Sequence, residues 1–140
     1  MKYMMMIYAK QADYDAMSGT PTDGRPAWSE ADVKAMFAHM ESLNNDLAES
    51  GEWVDGQGLS EPAQARLITT GPDGAPVVTD GPYGETKEVL AGYWLLDCES
   101  IERVTEIAGR VLACPGPEGA PAYPVVVRPV PASAPCDEPV

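Results

Sequence analysis

The chain has 140 residues, the size of one domain, and carries 22 acidic but only 9 basic side chains, for a net charge of −13 at pH 7. A chain of this length buries roughly two-thirds of its unfolded surface, so it can form a core without a metal or a disulfide. So large a negative charge repels phosphate backbones and anionic lipids, which argues against direct nucleic-acid binding and against a membrane-surface role.

The cysteines and the hydropathy predict a cytoplasmic protein. Cys98, Cys114 and Cys136 have no C-x-x-C spacing, and with one histidine they do not make a structural zinc site. No stretch approaches the roughly 20 apolar residues that cross a bilayer. Nucleotide-binding loops and the serine-hydrolase elbow are also absent. We therefore expect no metal, no cofactor and no membrane segment.

The first fifty residues predict a strand, a loop and a helix. Lys2–Ala9 is bulky and apolar, as a buried strand would be, and Gln11–Trp28 reads as a long loop that has room for a short helical turn. Glu30–Ser50 carries one apolar stripe at three- and four-residue steps, with Ser29 as its cap and Gly51 as its stop. This helix must pack on a sheet.

Short strands and turns follow the helix. Trp53–Leu59 and Ala65–Thr70 read as strands, and the turn residues Pro72-Asp73-Gly74 predict a β-hairpin between Ala65–Thr70 and Pro76–Thr79. Tyr93–Leu96 is apolar on both faces, which is typical of a central strand covered on both sides.

The last third predicts a helix and a strand. Ser100 caps a second amphipathic helix that ends near Cys114, and Tyr123–Arg128 returns as a final strand. The whole order matches an α+β, ferredoxin-like split βαβ domain with an inserted hairpin, spanning residues 1–130. The proline-rich acidic tail, residues 131–140, is expected to be flexible or packed on a partner.

One segment carries a family resemblance. Residues 80–88 read D-G-P-Y-G-E-T-K-E and are followed by Ala91-Gly92-Tyr93, which closely resembles the D-G-P-F-x-E-T-K-E signature of one branch of the YCII-related family. The opening Met1-Lys2-Tyr3, a histidine in the first long helix and the closing Val127-Arg128-Pro129-Val130 extend the resemblance over roughly residues 1–130.

The resemblance implies a homodimer in which two sheets pack into a dimeric α+β barrel, with clefts between sheet and helices. It also implies a catalytic role for a histidine and aspartate pair, although no general reaction is assigned to this branch of the family. Tyr83 stands where the family usually has phenylalanine, and Gly84 where alanine is common. The added hydroxyl of Tyr83 could change a pocket.

His39 and Asp80 are the candidate catalytic residues. His39 is the only histidine, and histidine is the side chain suited to proton transfer near neutrality. It lies at the margin of the apolar stripe, so it is either a residue that reaches a cleft or a hydrogen-bonded helix-edge residue. Asp80 precedes a Gly-Pro pair, where it either fixes a turn or orients His39 across the cleft.

Five further residues are candidates for binding a substrate: Tyr83, Glu85, Lys87, Tyr93 and Arg128. In one reading, Lys87 holds an anionic group of the substrate that Glu85 fixes, and Arg128 adds a second positive group. In the other, Glu85 and Lys87 form a solvated corner, and Arg128 is exposed to solvent at the end of a strand. Tyr83 and Tyr93, with Trp94, would line a pocket for a planar ligand or would belong to the core and dimer interface.

Two functions remain open at this stage. The first is a cofactor-independent acid–base enzyme that acts on a small organic molecule in the cleft, with His39 as acid or base. The second is a non-catalytic dimer that binds a small ligand or a regulatory protein. The sequence alone does not decide whether the protein is an enzyme.

Overall fold

A computed structural model describes residues 1–80 and 87–132, without the side chains of residues 79 and 80. In chain order the elements are β1 Lys2–Ala9, α1 Gln11–Met17, α2 Glu30–Ser50, β2 Trp53–Gly58, β3 Arg66–Thr70, β4 Pro76–Asp80, β5 Val89–Asp97, α3 Ile101–Leu112 and β6 Val126–Val130. Tyr83, Glu85 and residues 133–140 of the tail lie outside the described residues, and so does most of the signature segment.

The main sheet has the strand order β2-β5-β1-β6, and every neighbouring pair is antiparallel. Strands β1 and β2 are therefore parallel to each other and separated by β5, which is the split βαβ arrangement. Met5 marks the middle of the sheet, because it lies opposite Trp94 on one side and Val127 on the other. The α+β, ferredoxin-like prediction is confirmed.

The inserted hairpin is also confirmed, and it is a separate sheet of two strands, β3 and β4. Apolar side chains are exposed on both of its faces: Ile68, opposite Val78, is 64% exposed, and Leu67 and Val77 point the other way and are also exposed. An isolated two-stranded hairpin is only marginally stable in water. Every residue of β3 and β4 whose burial is described is exposed.

The bounds of α2 follow from its two ends. The hydroxyl of Ser29 accepts a hydrogen bond from the backbone N–H of Asp32 at 3.1 Å, and the Asp32 carboxylate accepts one from the N–H of Ser29 at 2.9 Å. At the other end Gly51 has φ 80°, a left-handed conformation that glycine adopts without strain. Both sequence predictions for this helix are confirmed.

Helices α2 and α3 pack on one face of the sheet. Leu43 and Leu47 of α2 are buried there, and Val104 and Ile107 of α3 are also fully buried. The same core contains Tyr3, Met5, Trp94 and Leu96 from the sheet and Cys98, which directly follows β5. Because side chains alternate along a strand, the intervening residues point to the opposite face.

That opposite face, here called the outer face, is apolar in its middle. It carries Met4, Met6, Tyr93, Leu95, Val126 and Val130, all of which are partly buried. The charged residues Lys2 and Arg128 lie on the same face and are exposed. The two long helices leave this face uncovered, since both lie on the other side.

Part of the predicted loop is a helix. Residues Gln11–Met17 form α1, where the sequence predicts a loop with at most a short helical turn. Asp13 caps its start by accepting a hydrogen bond from the N–H of Lys10 at 2.7 Å. Ala12 and Ala16 are buried, and the carbonyl of Ala16 accepts a bond from the N–H of Trp28 at 2.9 Å. Contacts distant in sequence therefore stabilise this seven-residue helix.

Candidate functional site

A cavity of about 330 Å³ lies between α2 and strands β2 and β5. We call it the aromatic cavity, and its lining includes Met36, Phe37, Met40, Trp53 and Trp94. None of the residues that line it is charged. A pocket with aromatic and thioether walls and few polar groups suits a small apolar or planar molecule.

One polar side chain borders this cavity in a fixed position. The indole N–H of Trp94 donates to the side-chain carbonyl of Asn44 at 2.8 Å, which orients the amide. The amide nitrogen of Asn44 makes no hydrogen bond within the described part of the chain, and no buried polar side-chain atom there lacks a partner. The Asn44 amide is therefore accessible, and it can donate to a ligand carbonyl or hydroxyl.

Glycine at position 56 allows the Trp53 ring to form a wall of the cavity. A Cβ atom on Gly56 would stand 2.6 Å from Cη2 of Trp53, well inside contact distance. The ring must therefore move if any side chain is added at this position. Gly58, two residues further along the same strand and also a lining residue, has open space where its Cβ would be.

Tyr93 and Trp94 extend to opposite faces of β5. Trp94 faces α2, and the hydroxyl of Tyr93 donates to the carboxylate of Asp55 at 2.8 Å on the outer face. This hydrogen bond from the neutral phenol to a carboxylate raises the pKa of Tyr93. Tyr93 and Trp94 were both predicted to line a pocket. The indole of Trp94 faces the helices, whereas the hydroxyl of Tyr93 lies on the outer face, so of these two only the Trp94 ring can be a wall of the aromatic cavity.

His39 joins the two long helices. Its Nε2 lies 2.7 Å from the backbone carbonyl of Arg110, in the last turn of α3, where carbonyls lack a partner within the helix. The nitrogen at that contact therefore carries the proton, since a carbonyl can only accept. His39 is not among the residues that line the aromatic cavity.

The other candidates are spread over the fold. The backbone of Asp80 pairs with Arg66 in the hairpin, but its side chain is not among the described parts, so the His39–Asp80 pair stays a prediction. Lys87 is exposed just before β5. Arg128 lies on the outer face, opposite Met4, and so on the other side of the sheet from Trp94. Their roles in substrate binding also stay predictions.

The described residues contain neither a metal-binding cluster nor a membrane-spanning helix. No group of three or more histidine, cysteine, aspartate or glutamate side chains there is arranged to hold a metal ion. Within the same residues, no helix is both long enough and apolar enough to cross a membrane.

Sequence comparison assigns the family. A family model, the YCII-related domain, matches residues 1–118, which is most of the chain. The chain belongs to the YCII-related family. This YCII-related domain is also similar to an uncharacterized protein of Rhizobium meliloti (strain 1021), at 29% identity over 82 residues. That alignment covers 59% of this chain and 65% of the relative, so the match spans just under two-thirds of the relative's length.

Sequence reasoning missed three residues of the YCII-related domain's cavity: Asn44, Trp53 and Gly56. Asn44 follows Met40 by four residues, so a polar residue lies in the apolar stripe of α2. A helical projection of the sequence shows this break in the apolar stripe, so Asn44 could have been found from the sequence. Trp53 and Gly56 give no such signal, because their contact depends on the irregular register between β2 and β5.

Proposed function

We propose that this YCII-related domain is a homodimeric protein that binds a small, neutral, mainly apolar molecule in the aromatic cavity. The observation that carries the proposal is the wall of Trp53 and Trp94 beside the accessible amide of Asn44. The indole rings supply apolar contact, and the amide supplies one directed hydrogen bond. The lining has no charge to offset the desolvation of an ionic ligand.

Binding without chemistry is the better supported of the two functions. An acid–base enzyme needs a proton-transfer group within reach of its ligand. Nε2 of His39 is engaged by the carbonyl of Arg110, and His39 is absent from the cavity lining. The bond to Arg110 gives the histidine a structural role that requires no reaction. Catalysis by His39 and Asp80 stays a prediction that the variants below also test.

The homodimer is proposed from the outer face of the sheet. Met4 and Leu95 lie opposite each other in the middle of this face and are only partly buried. A second copy that packs sheet against sheet would remove this apolar surface from water. We expect Leu95→Glu to convert the dimer to a monomer in sedimentation velocity. Ile101→Glu, at an exposed position in the first turn of α3, is the control and should leave the dimer intact.

The ligand site is tested with the neutral fluorescent probe N-phenyl-1-naphthylamine and two alanine variants on one strand. Gly56→Ala forces the Trp53 ring from its position, so the probe should bind about tenfold more weakly, a change of about 1.4 kcal/mol. Gly58→Ala adds the same methyl group into open space and should bind like the wild type. Circular dichroism confirms that both variants are folded. Equal affinity in the two variants would refute the aromatic cavity as the ligand site.

The catalytic alternative is separated from binding by His39→Ala. This variant should keep its affinity for the probe, since His39 does not line the cavity. Once a natural ligand is identified by mass spectrometry of the purified protein, wild type and His39→Ala are incubated with it. Unchanged ligand in both samples supports binding alone. Conversion by the wild type and not by His39→Ala would establish the acid–base enzyme instead.

A further inference from the structure

A second cavity, of about 320 Å³, lies beside α2 and below the connection between α3 and β6. We call it the loop-capped cavity. Its floor includes Ile7, Met40, Val111 and Val125. Ile7 and Met40 also line the aromatic cavity, so these two side chains form the partition between the two spaces.

Two glycine- and proline-rich segments meet at this cavity: residues 18–28, of which only Trp28 lines it, and residues 115–123, of which 115–117 and 120–123 line it. Trp28 belongs to the first and lies against Gly116 of the second: a Cβ atom on Gly116 would stand 3.1 Å from the Trp28 ring. The backbone N–H of Trp28 donates to the carbonyl of Ala16 at 2.9 Å, which fixes the first segment to α1. The aromatic cap is therefore held in place from both sides.

An ion-pair cluster beside the cavity fastens the cap. The guanidinium of Arg25 binds the carboxylates of both Asp13 and Asp23, and its contact with Asp23 uses two nitrogens, at 2.6 and 2.5 Å. Tyr123, from the second segment, also interacts with Arg25 and Asp13, and burial raises the pKa of its phenol. The bidentate pair gives the arrangement directional specificity. Such a cluster fixes Tyr123 and the first segment beside the cavity without placing any charge in the cavity lining.

The chemistry of the lining selects one class of ligand. Every described residue that borders the cavity is uncharged, in a chain whose net charge is −13. An ion of either sign would lose its hydration there without a compensating partner. Trp28 and Tyr123 supply aromatic rings at the cap. Flat rings pack well against such walls in offset or edge-to-face contact.

We infer that the loop-capped cavity is a second binding site, for a neutral aromatic molecule of one or two rings, separate from the aromatic cavity. The site is built by the cap of Trp28 and Tyr123 over the floor of Val111 and Val125. The inference goes beyond the proposed function, because its site shares only the partition of Ile7 and Met40 with the first.

Cys114 provides a reporter at this site, since it lines the loop-capped cavity and is only partly buried. Cys98 is buried in the core, and Cys136 can be replaced by serine, so Cys114 becomes the reactive thiol. The experiment measures the rate of Cys114 alkylation by N-ethylmaleimide in Cys136→Ser protein, with and without saturating 1-naphthol, a neutral molecule of two rings. The naphthol should slow alkylation about tenfold if it occupies the cavity.

Two variants assign the protection to this cavity. Val125→Trp fills the floor and Trp28→Leu removes the cap ring, so each should abolish protection of Cys114; the second variant serves if the first does not fold. Gly56→Ala, which alters only the aromatic cavity, should leave protection unchanged. Binding of N-phenyl-1-naphthylamine to the aromatic cavity without protection of Cys114 by 1-naphthol would overturn the inference and leave the proposed function standing. Protection that persists in Trp28→Leu would overturn it as well.

Discussion

The guanidinium of Arg103 in α3 holds the carboxylate of Glu52 through two hydrogen bonds of 2.9 Å each. Glu52 directly follows the stop of α2, and its backbone carbonyl accepts a bond from the N–H of Asp97 at the end of β5. The pair thus connects α3 to the end of α2 and, through the carbonyl of Glu52, to the end of β5. The carboxylate is only 14% exposed, so water screens this pair less than it does an exposed one.

Acid should remove the contribution of this pair to stability. The hydrogen bonds from Arg103, the principal cause, lower the pKa of Glu52 from the ordinary 4.5 to about 2. Because the folded pKa is depressed, the stabilisation is fully present above pH 4.5 and is lost as the pH falls toward 2. We expect Glu52→Gln to lower the free energy of unfolding by about 2 kcal/mol at pH 7 in urea titrations.

Glu106→Gln is the matched control for that experiment. Glu106 also contacts Arg103, at 3.2 Å, but it is exposed, and exposed ion pairs contribute about 0–1 kcal/mol. The difference between the two variants should shrink when both are unfolded near pH 2. If both variants lose the same free energy of unfolding at pH 7, the two-bond geometry of the Glu52–Arg103 pair adds no stability beyond that of an exposed ion pair.

Replacement of His39 should weaken the contact between α2 and α3. His39→Ala removes the bond to the carbonyl of Arg110, which then has no partner within its helix. We expect a loss of about 1 kcal/mol in the free energy of unfolding. Urea denaturation measures it, with Lys34→Ala on the exposed side of α2 as a control. A stability equal to that of wild type would argue against the structural role of His39.

Two glycine-to-alanine changes should have opposite signs. Gly51→Ala places a side chain at φ 80°, which should cost about 1 kcal/mol of stability although no atom obstructs it. Gly109→Ala lies within α3, also in open space, and should add about 0.5–1 kcal/mol. Thermal unfolding of the pair separates backbone strain from packing. A shift of both midpoints in the same direction would contradict this account.

The thiol of Cys98 should be inert in the folded protein. Burial, with the nearby Glu52 carboxylate, raises the pKa of Cys98 to about 11, and the side chain is 2% exposed. Reaction needs the thiolate, so N-ethylmaleimide at pH 7 should label Cys98 only after unfolding. Peptide mapping of protein labelled with and without guanidinium chloride tests this. Labelling of Cys98 at the rate of Cys114 would show that the core opens locally.

The long elements could be predicted because their signals are local. Ser29 and Gly51 mark the ends of α2 by side-chain chemistry and backbone conformation, and the structure has both ends at these residues. Helix α1 could not, because seven residues give too short a periodic pattern. Its stability depends on Trp28, whose bond to Ala16 spans a loop that no local pattern describes.

The site was predicted less completely, for a geometrical reason. Tyr93 and Trp94 were expected in one pocket, but neighbours on a strand point to opposite faces, so Trp94 turns to α2 while the hydroxyl of Tyr93 bonds to Asp55. The contact of Trp53 with Gly56 depends on the irregularity in the pairing of β2 with β5. A strand's register with its neighbour is fixed only when both are folded.

The position of β1 between β5 and β6 has a consequence for how the chain acquires its structure. Lys2 lies opposite Asp97 on one side and Val130 on the other, so both partners of β1 follow it at a long distance in the sequence. Pairing so distant in sequence slows folding. On the ribosome, β1 with its run of methionines stays unpaired until about a hundred further residues are made, and its apolar side chains are open to aggregation for that time.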